Sequence, residues 1–165
     1  AFMNNTSGVY NAALGNEALR DNTDGGGNTA IGATTLRENT DGYMNVAVGF
    51  EAARKNTSGA ENTSVGSLSM QNNTTGNKNL ALGRMAAYNN TTANSNLAIG
   101  FKAGYSNQIA EEETYIGFEA GKNTINNLDM DQVRFPNTFI GYQAGYTNTI
   151  GIGNYFSGYK SGNNL

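Results

Sequence analysis

Apolar and polar positions along this chain recur with a period of 17 residues. Glycine stands at Gly15, Gly32, Gly49, Gly66, Gly83, Gly100 and Gly117, and after one interruption at Gly141 and Gly158. Immediately before it come Leu14, Ile31, Val48, Val65, Leu82, Ile99, Ile116 and Ile140, with Ser157 ending the series. Two positions before it, Ala13, Ala30, Ala47, Ala81 and Ala98 give way to Tyr115, Phe139 and Phe156. Four before it stand Asn11, Asn28, Asn45, Asn62, Asn79 and Asn96, then Glu113, Asn137 and Asn154. A second polar column, Asn5, Asn22, Asn39, Asn56, Asn73, Asn90 and Asn107, is mostly followed by threonine. The consensus is N-x-A-(I/V/L)-G-x-x-A-x-x-x-N-T-x-G-x-x.

A unit of this length is too short for a helix–turn–helix repeat, and Gly and Asn are poor helix formers. It reads as two short β-segments, N-x-A-I-G and one near A-x-x-x-N-T, joined by Gly/Asn turns. The predicted fold is all-β, a parallel β-solenoid or β-roll of about nine 17-residue coils. The column glycines are read as structural turn residues and the Asn11 to Asn96 column as a coil-to-coil amide ladder. Residues 1–122 form the regular repeat, 123–135 an insertion that adds seven residues, and 136–165 the terminal, aromatic-rich repeats.

Both Ala13 and Leu14 belong to apolar columns, although neighbours in a strand point to opposite faces. A strand with one solvated face should alternate apolar with polar. The expectation is that the larger residue fills the coil and the alanines face sister chains. Ala13, Ala30, Ala47, Ala81 and Ala98 are therefore the candidate interface of a parallel homotrimer. A coil this small encloses little core, and assembly would compensate.

The segments Asn28-Thr-Ala-Ile-Gly32 and Asn96-Leu-Ala-Ile-Gly100 resemble the N-x-A-I-G core of trimeric autotransporter adhesin heads. The full 17-residue form is more similar still to repeats in phage tail fibres and large bacterial surface proteins. The resemblance covers almost the whole chain. It implies a trimerising, left-handed parallel β-roll in a fibre and names no ligand. The repeats are a few residues longer than those of the autotransporter heads.

Composition narrows the chemistry. The chain has no Cys and no His, 14% charged residues and a net charge of −3. Disulfides, thiolate metal sites and the usual imidazole base are absent. No basic stripe exists to neutralise phosphates, so nucleic acid is not an expected partner. No apolar run approaches the roughly 20 residues of a membrane span. Ala1 falls in the Ala18 column and Leu165 in the Asn22 column, so both ends stop mid-coil. Open ends of this kind suit a piece of a longer fibre or head-to-tail stacking into a filament.

Candidate recognition residues lie in the second half. Phe118, Tyr142 and Tyr159 follow the column glycine, Tyr146 adds to them, and Asp129 and Asp131 lie in the insertion. Exposed aromatics suit a sugar or protein contact; the alternative is that they thicken or cap the core. The two aspartates lack an EF-type glycine and glutamate, so no metal ligand is assigned. Glu111-Glu112-Glu113 reads as a solvated corner, and Arg20, Arg37 and Arg54 as a column balanced by Asp21 and Glu38. Asn56, Asn62 and Asn73 head glycosylation sequons. The acids sit mainly at repeat corners, so no catalytic residue and no cofactor is assigned, and the chain is not expected to be an enzyme. The expected function is a structural or adhesive fibre segment, extracellular, on a cell surface or on a virion. Its partners would be copies of itself and a cell-surface glycan or receptor. The alternative is a stand-alone carbohydrate- or ice-binding solenoid using the ladder Thr6, Thr23, Thr40, Thr57, Thr74 and Thr91.

Overall fold

The computed structural model describes residues 1–125 and 135–163. Each repeat contributes one three-residue strand: β1 (Ala12–Leu14), β2 (Thr29–Ile31), β3 (Val46–Val48), β4 (Thr63–Val65), β5 (Leu80–Leu82), β6 (Leu97–Ile99), β7 (Thr114–Ile116), β8 (Thr138–Ile140) and β9 (Tyr155–Ser157). They form one parallel sheet in sequence order. Each residue pairs with its equivalent in the next repeat, as Ala13 does with Ala30 and Ala30 with Ala47. The chain is thus an all-β parallel solenoid of about eight full turns. At roughly 4.8 Å per rung it is a rod about 40 Å long. Across the insertion, Thr114 pairs with Thr138 and Ile116 with Ile140. The seven extra residues leave the sheet register intact.

The second strand expected in each coil is not found among the described residues. That segment instead carries alternate residues at left-handed φ: Glu17 at 52° and Leu19 at 50°, then Thr34 at 55° and Leu36 at 47°. Such a conformation costs an L-residue about 1–2 kcal/mol. Coil-to-coil bonding offsets that cost, because the turning backbone still presents amides along the rod. Leu19 N–H donates to Thr35 O at 3.0 Å, Asp21 N–H to Arg37 O at 2.9 Å, and Thr34 N–H back to Asn16 O at 2.8 Å.

The strands direct their middle residue inward. Ala30, Ala47 and Ala81 are fully buried and Ala98 nearly so, whereas Leu14 is 69% exposed and Ile31 42%. This corrects the expected face assignment: Ala13, Ala30, Ala47, Ala81 and Ala98 line the lumen and cannot form an interface between chains. The reason is width. Leu19, Leu36 and Met70 enter the same core from the opposite wall, and facing them the strand has room for little more than a methyl group.

Farther along the rod the two walls exchange bulk. Where the strand supplies Tyr115, Phe139 and Phe156, the Leu19 column supplies Gly121, Gly145 and Gly162. A Cβ on Gly145 would lie 2.5 Å from Phe139 Cδ2, one on Gly104 would lie 2.5 Å from Tyr115 Cδ2, and one on Gly121 would collide with the same tyrosine ring. Tyr115 and Phe139 are almost completely buried. Gly121→Ala is therefore expected to destabilise the wild-type chain by about 3 kcal/mol, combining strain at φ 58° with overpacking. Tyr115→Ala alone should cost about 3–5 kcal/mol through its cavity. In the double variant the overpacking disappears, so the two losses should add to much less than their sum in a denaturant-melt cycle. Simple additivity would refute this account of the exchange.

Two amide ladders order the polar part of the core. Asn28 Oδ1 accepts from Asn45 N–H at 2.9 Å, and Asn45 Oδ1 from Asn62 N–H at 3.0 Å. In the other ladder, Asn39 Nδ2 donates to Asn22 Oδ1 at 2.7 Å and Asn56 Nδ2 to Asn39 Oδ1 at 2.7 Å. Both ladders converge on one corner carbonyl per coil. Gly42 O accepts from Asn28 Nδ2 at 2.8 Å and from Asn39 Nδ2 at 3.0 Å. Gly59 O is clamped in the same way by Asn45 and Asn56. These asparagines are buried, so the clamp supplies the partners that buried amides and carbonyls require.

Candidate functional site

Because every coil repeats the one before, surface features are columns running along the rod. One column is ionic. Arg37 Nε lies 2.9 Å from Glu17 and its Nη1 3.9 Å from Glu38, and Arg54 Nη2 lies 3.4 Å from Glu38. At the start of the column the Arg20 guanidinium, 2.7 Å from Asp21, holds the Asp21 carboxyl below its usual range. Acids flank the arginines on both sides, which places like charges a coil apart without net repulsion. This agrees with a compensated, partly solvated column.

The threonine ladder is bonded along the rod. Thr23 Oγ1 donates to Thr40 O at 3.2 Å, Thr40 Oγ1 to Thr57 O at 3.1 Å, and Thr57 Oγ1 to Thr74 O at 3.0 Å. Each hydroxyl proton is therefore committed to the next coil rather than to solvent or a ligand.

The structure separates the aromatic candidates into two columns. Phe101, Phe118, Tyr142 and Tyr159 form one continuous stack, with ring centroids 5.2, 5.1 and 5.2 Å apart. Arg84 and Lys102 lie over Phe101, at 5.8 and 5.3 Å from its centroid. Tyr146 stands in the arginine column, where Lys122 Nζ lies 5.0 Å from its ring centre and 3.2 Å from its hydroxyl. Stacking uses the ring faces, so the column shows mainly edges to solvent. A sugar stacks on an aromatic face, and this geometry leaves few faces for it. Tyr115, Phe139 and Phe156 pack in or against the core instead, as the core-thickening alternative anticipates. Asp129 and Asp131 lie outside the described residues.

Two acids of the second half, Glu113 and Glu119, are engaged by neighbouring coils. Glu119 accepts from Lys122 Nζ at 2.8 Å and from Gln143 Nε2 at 2.9 Å. Burial pushes its carboxyl up, but these donors outweigh that and hold it below the usual range. Glu113, expected at a solvated corner, is buried in the asparagine ladder and accepts from Asn137 N–H at 2.8 Å. An acceptor-only side chain suffices there because the next coil supplies the donor. Among the described residues no group of three or more acidic side chains converges on a metal position. Burial also withdraws the sequons: Asn56, Asn62 and Asn73 are at most 2% exposed and their amides donate within the ladders.

The largest feature that sequence reasoning missed is the outer face of the sheet. It carries two columns that flank the buried alanines. The first runs Ala12, Thr29, Val46, Thr63, Leu80, Leu97, Thr114, Thr138 and Tyr155; the second runs from Leu14 to Ser157. Neither contains a charged residue, and none of these side chains is buried. The covariation of strand and opposite-wall bulk was the available signal, since it marks Ala13 and Leu19 as sharing the lumen.

The chain matches no family model, no curated protein and no solved structure. No helix among the described residues is long and apolar enough to cross a membrane.

Proposed function

We propose that this chain is a segment of a structural or adhesive fibre, of the kind found in phage tail fibres and bacterial surface filaments. It acts as a stiff shaft, assembled as a homotrimer and displayed outside the cell or on a virion. The observation that carries this reading is the uniformity of the rod. Nine strands pair in one sheet, one asparagine ladder runs unbroken from Asn5 to Asn90, and the corner clamp recurs from Gly25 to Ala110. Such an object spaces and presents what it joins. The committed threonine hydroxyls and the self-stacked aromatic faces favour the shaft over a stand-alone ice- or carbohydrate-binding solenoid.

Light scattering with negative-stain images of the same sample tests the reading. The expected result is short, straight rods with three times the 17.4 kDa chain mass. A clean monomer with measurable thermal hysteresis, or turnover of a host polysaccharide, would overturn it.

A further inference from the structure

The geometry points to the outer face of the sheet as the surface on which copies of this chain pack, side by side, with their rods parallel and rungs level. This inference rests on the self-association in the reading above and supplies the face that the buried alanines cannot.

Three observations carry it. The first is chemical: eighteen outward strand positions in two columns contain no Asp, Glu, Lys or Arg, and the second column is almost wholly Leu, Ile and Val. Leu14, Ile31 and Val46 are exposed at 69%, 42% and 38%. The second is size. Two columns about 7 Å apart, with their side chains, over roughly 40 Å of rod, make a face on the order of 500 Å². That lies within the range of the largest apolar patch found on a typical monomer, about 300–600 Å², which is often functional. A specific interface uses roughly 800 Å² per partner, and the exposed Phe50, Phe118 and Tyr142, two residues beyond the second column, extend the face in that direction. The third is periodicity. The face is a set of ridges one rung apart in unbroken register. A second copy carries the same spacing over the same length, so its ridges mesh along the whole rod. An unrelated partner without that period would mesh over only a few rungs. Parallel alignment also brings each rung against its equivalent.

Single substitutions on the full chain test the inference. Val65→Glu and Ile99→Glu place a carboxylate on the face without entering the lumen, and Ser58→Glu is the control on an exposed corner. By light scattering, the first two are expected to reduce the mass threefold to that of one chain while the β circular-dichroism signal stays. Ser58→Glu should leave the mass unchanged. Should the carboxylates prevent folding, a second measurement decides. The chain has no cysteine, so Val48→Cys and Ser58→Cys each introduce a single thiol. A short bismaleimide is expected to join chains through Val48→Cys and not through Ser58→Cys. In an antiparallel pair each third rung would face the other chain's seventh, so the two Val48 positions would lie roughly 19 Å apart along the rod and would not be joined.

The possible outcomes are distinct. Full multimer mass in Val65→Glu and Ile99→Glu, or no cross-link at Val48, overturns the assigned face and leaves the fibre reading standing. A two-chain mass with the Val48 cross-link supports the face and overturns the homotrimer. A monomeric wild-type chain overturns both.

Discussion

Replacing Gly83 with alanine is expected to destabilise the solenoid by about 4 kcal/mol or more, lowering the melting temperature by roughly 10 °C. The backbone there has φ 130°, a region that L-residues rarely adopt. An added Cβ would also fall 2.6 Å from Gly100 O and 2.8 Å from Gly100 C, atoms of the next coil's backbone. Backbone cannot rotate away as a side chain can, so two rungs must separate or the corner must refold. The same glycine recurs in all nine repeats, and the same effect is expected at Gly49 and Gly66. The corner glycines Gly42 and Gly59 contrast in backbone conformation and not in space: neither has a positive φ, although an added Cβ on Gly42 would meet the Asn39 and Asn56 amides and fall 2.5 Å from Gly59 O. Their column already carries Ala93 and Ala110 farther along the rod. There Asn107 turns its Oδ1 to Ala110 N–H, and Asn90 Oδ1 is left buried without a partner. Because that column accommodates a Cβ at Ala93 and Ala110, Gly42→Ala should cost about one ladder bond plus a small shift of the next corner, roughly 2 kcal/mol and less than Gly83→Ala. Equal losses at Gly83 and Gly42 in thermal melts would mean that the φ of 130° adds no cost at Gly83, contrary to this account.

Asn62→Ala is the second large effect, expected at about 2–4 kcal/mol by denaturant unfolding. The Asn62 amide is buried and makes four bonds. Its Nδ2 donates to Asn45 Oδ1 at 3.1 Å and Gly76 O at 2.8 Å, and its Oδ1 accepts from Asn79 N–H at 3.0 Å and Asn79 Nδ2 at 3.1 Å. Not all four losses count equally. Gly76 O keeps Asn73, and Asn45 Oδ1 keeps the Asn62 backbone amide. The Asn79 N–H is left with nothing, and an orphaned buried donor costs about 1–3 kcal/mol by itself. The half-buried Asn72 makes one side-chain bond, to Asn89 at 3.1 Å. Asn72→Ala is expected to cost well under 1 kcal/mol. Comparable losses at the two sites would show that the inner ladder is no more than a surface hydrogen bond in value.

The repeat made the architecture legible before any coordinates, because a 17-residue register of Gly, Asn and small apolar residues has few other uses. It also identified the column glycines and the first asparagine ladder, whose roles follow from backbone geometry and amide chemistry. The faces of the strand are not legible from residue size, because the larger residue of a pair is ordinarily the interior one. In a narrow lumen the small residue goes inside, and Ala47 beside Val48 shows this directly. The second segment of each coil was misread because Glu17, Leu19 and Leu36 carry no propensity for left-handed φ. Only cross-coil bonding places them there, and that is invisible in a single repeat. The Asn22 column was recognised as polar, but its convergence with the Asn28 column on one carbonyl depends on residues 14 and 3 positions away meeting in space.

The pairing of β7 with β8 has a bearing on how such a molecule changes length. Each rung bonds only to the rungs above and below it, so the fold sets no limit on their number. A whole 17-residue unit could be gained or lost, and the rod would grow or shrink by one step of about 4.8 Å. Seven residues do not make a step, and the sheet treats them as nothing: Thr114 meets Thr138 as Thr29 meets Val46. The molecule behaves as a ruler marked in coils. Its measured length depends on how many complete units it holds, while the seven residues added between β7 and β8 leave the marks unmoved.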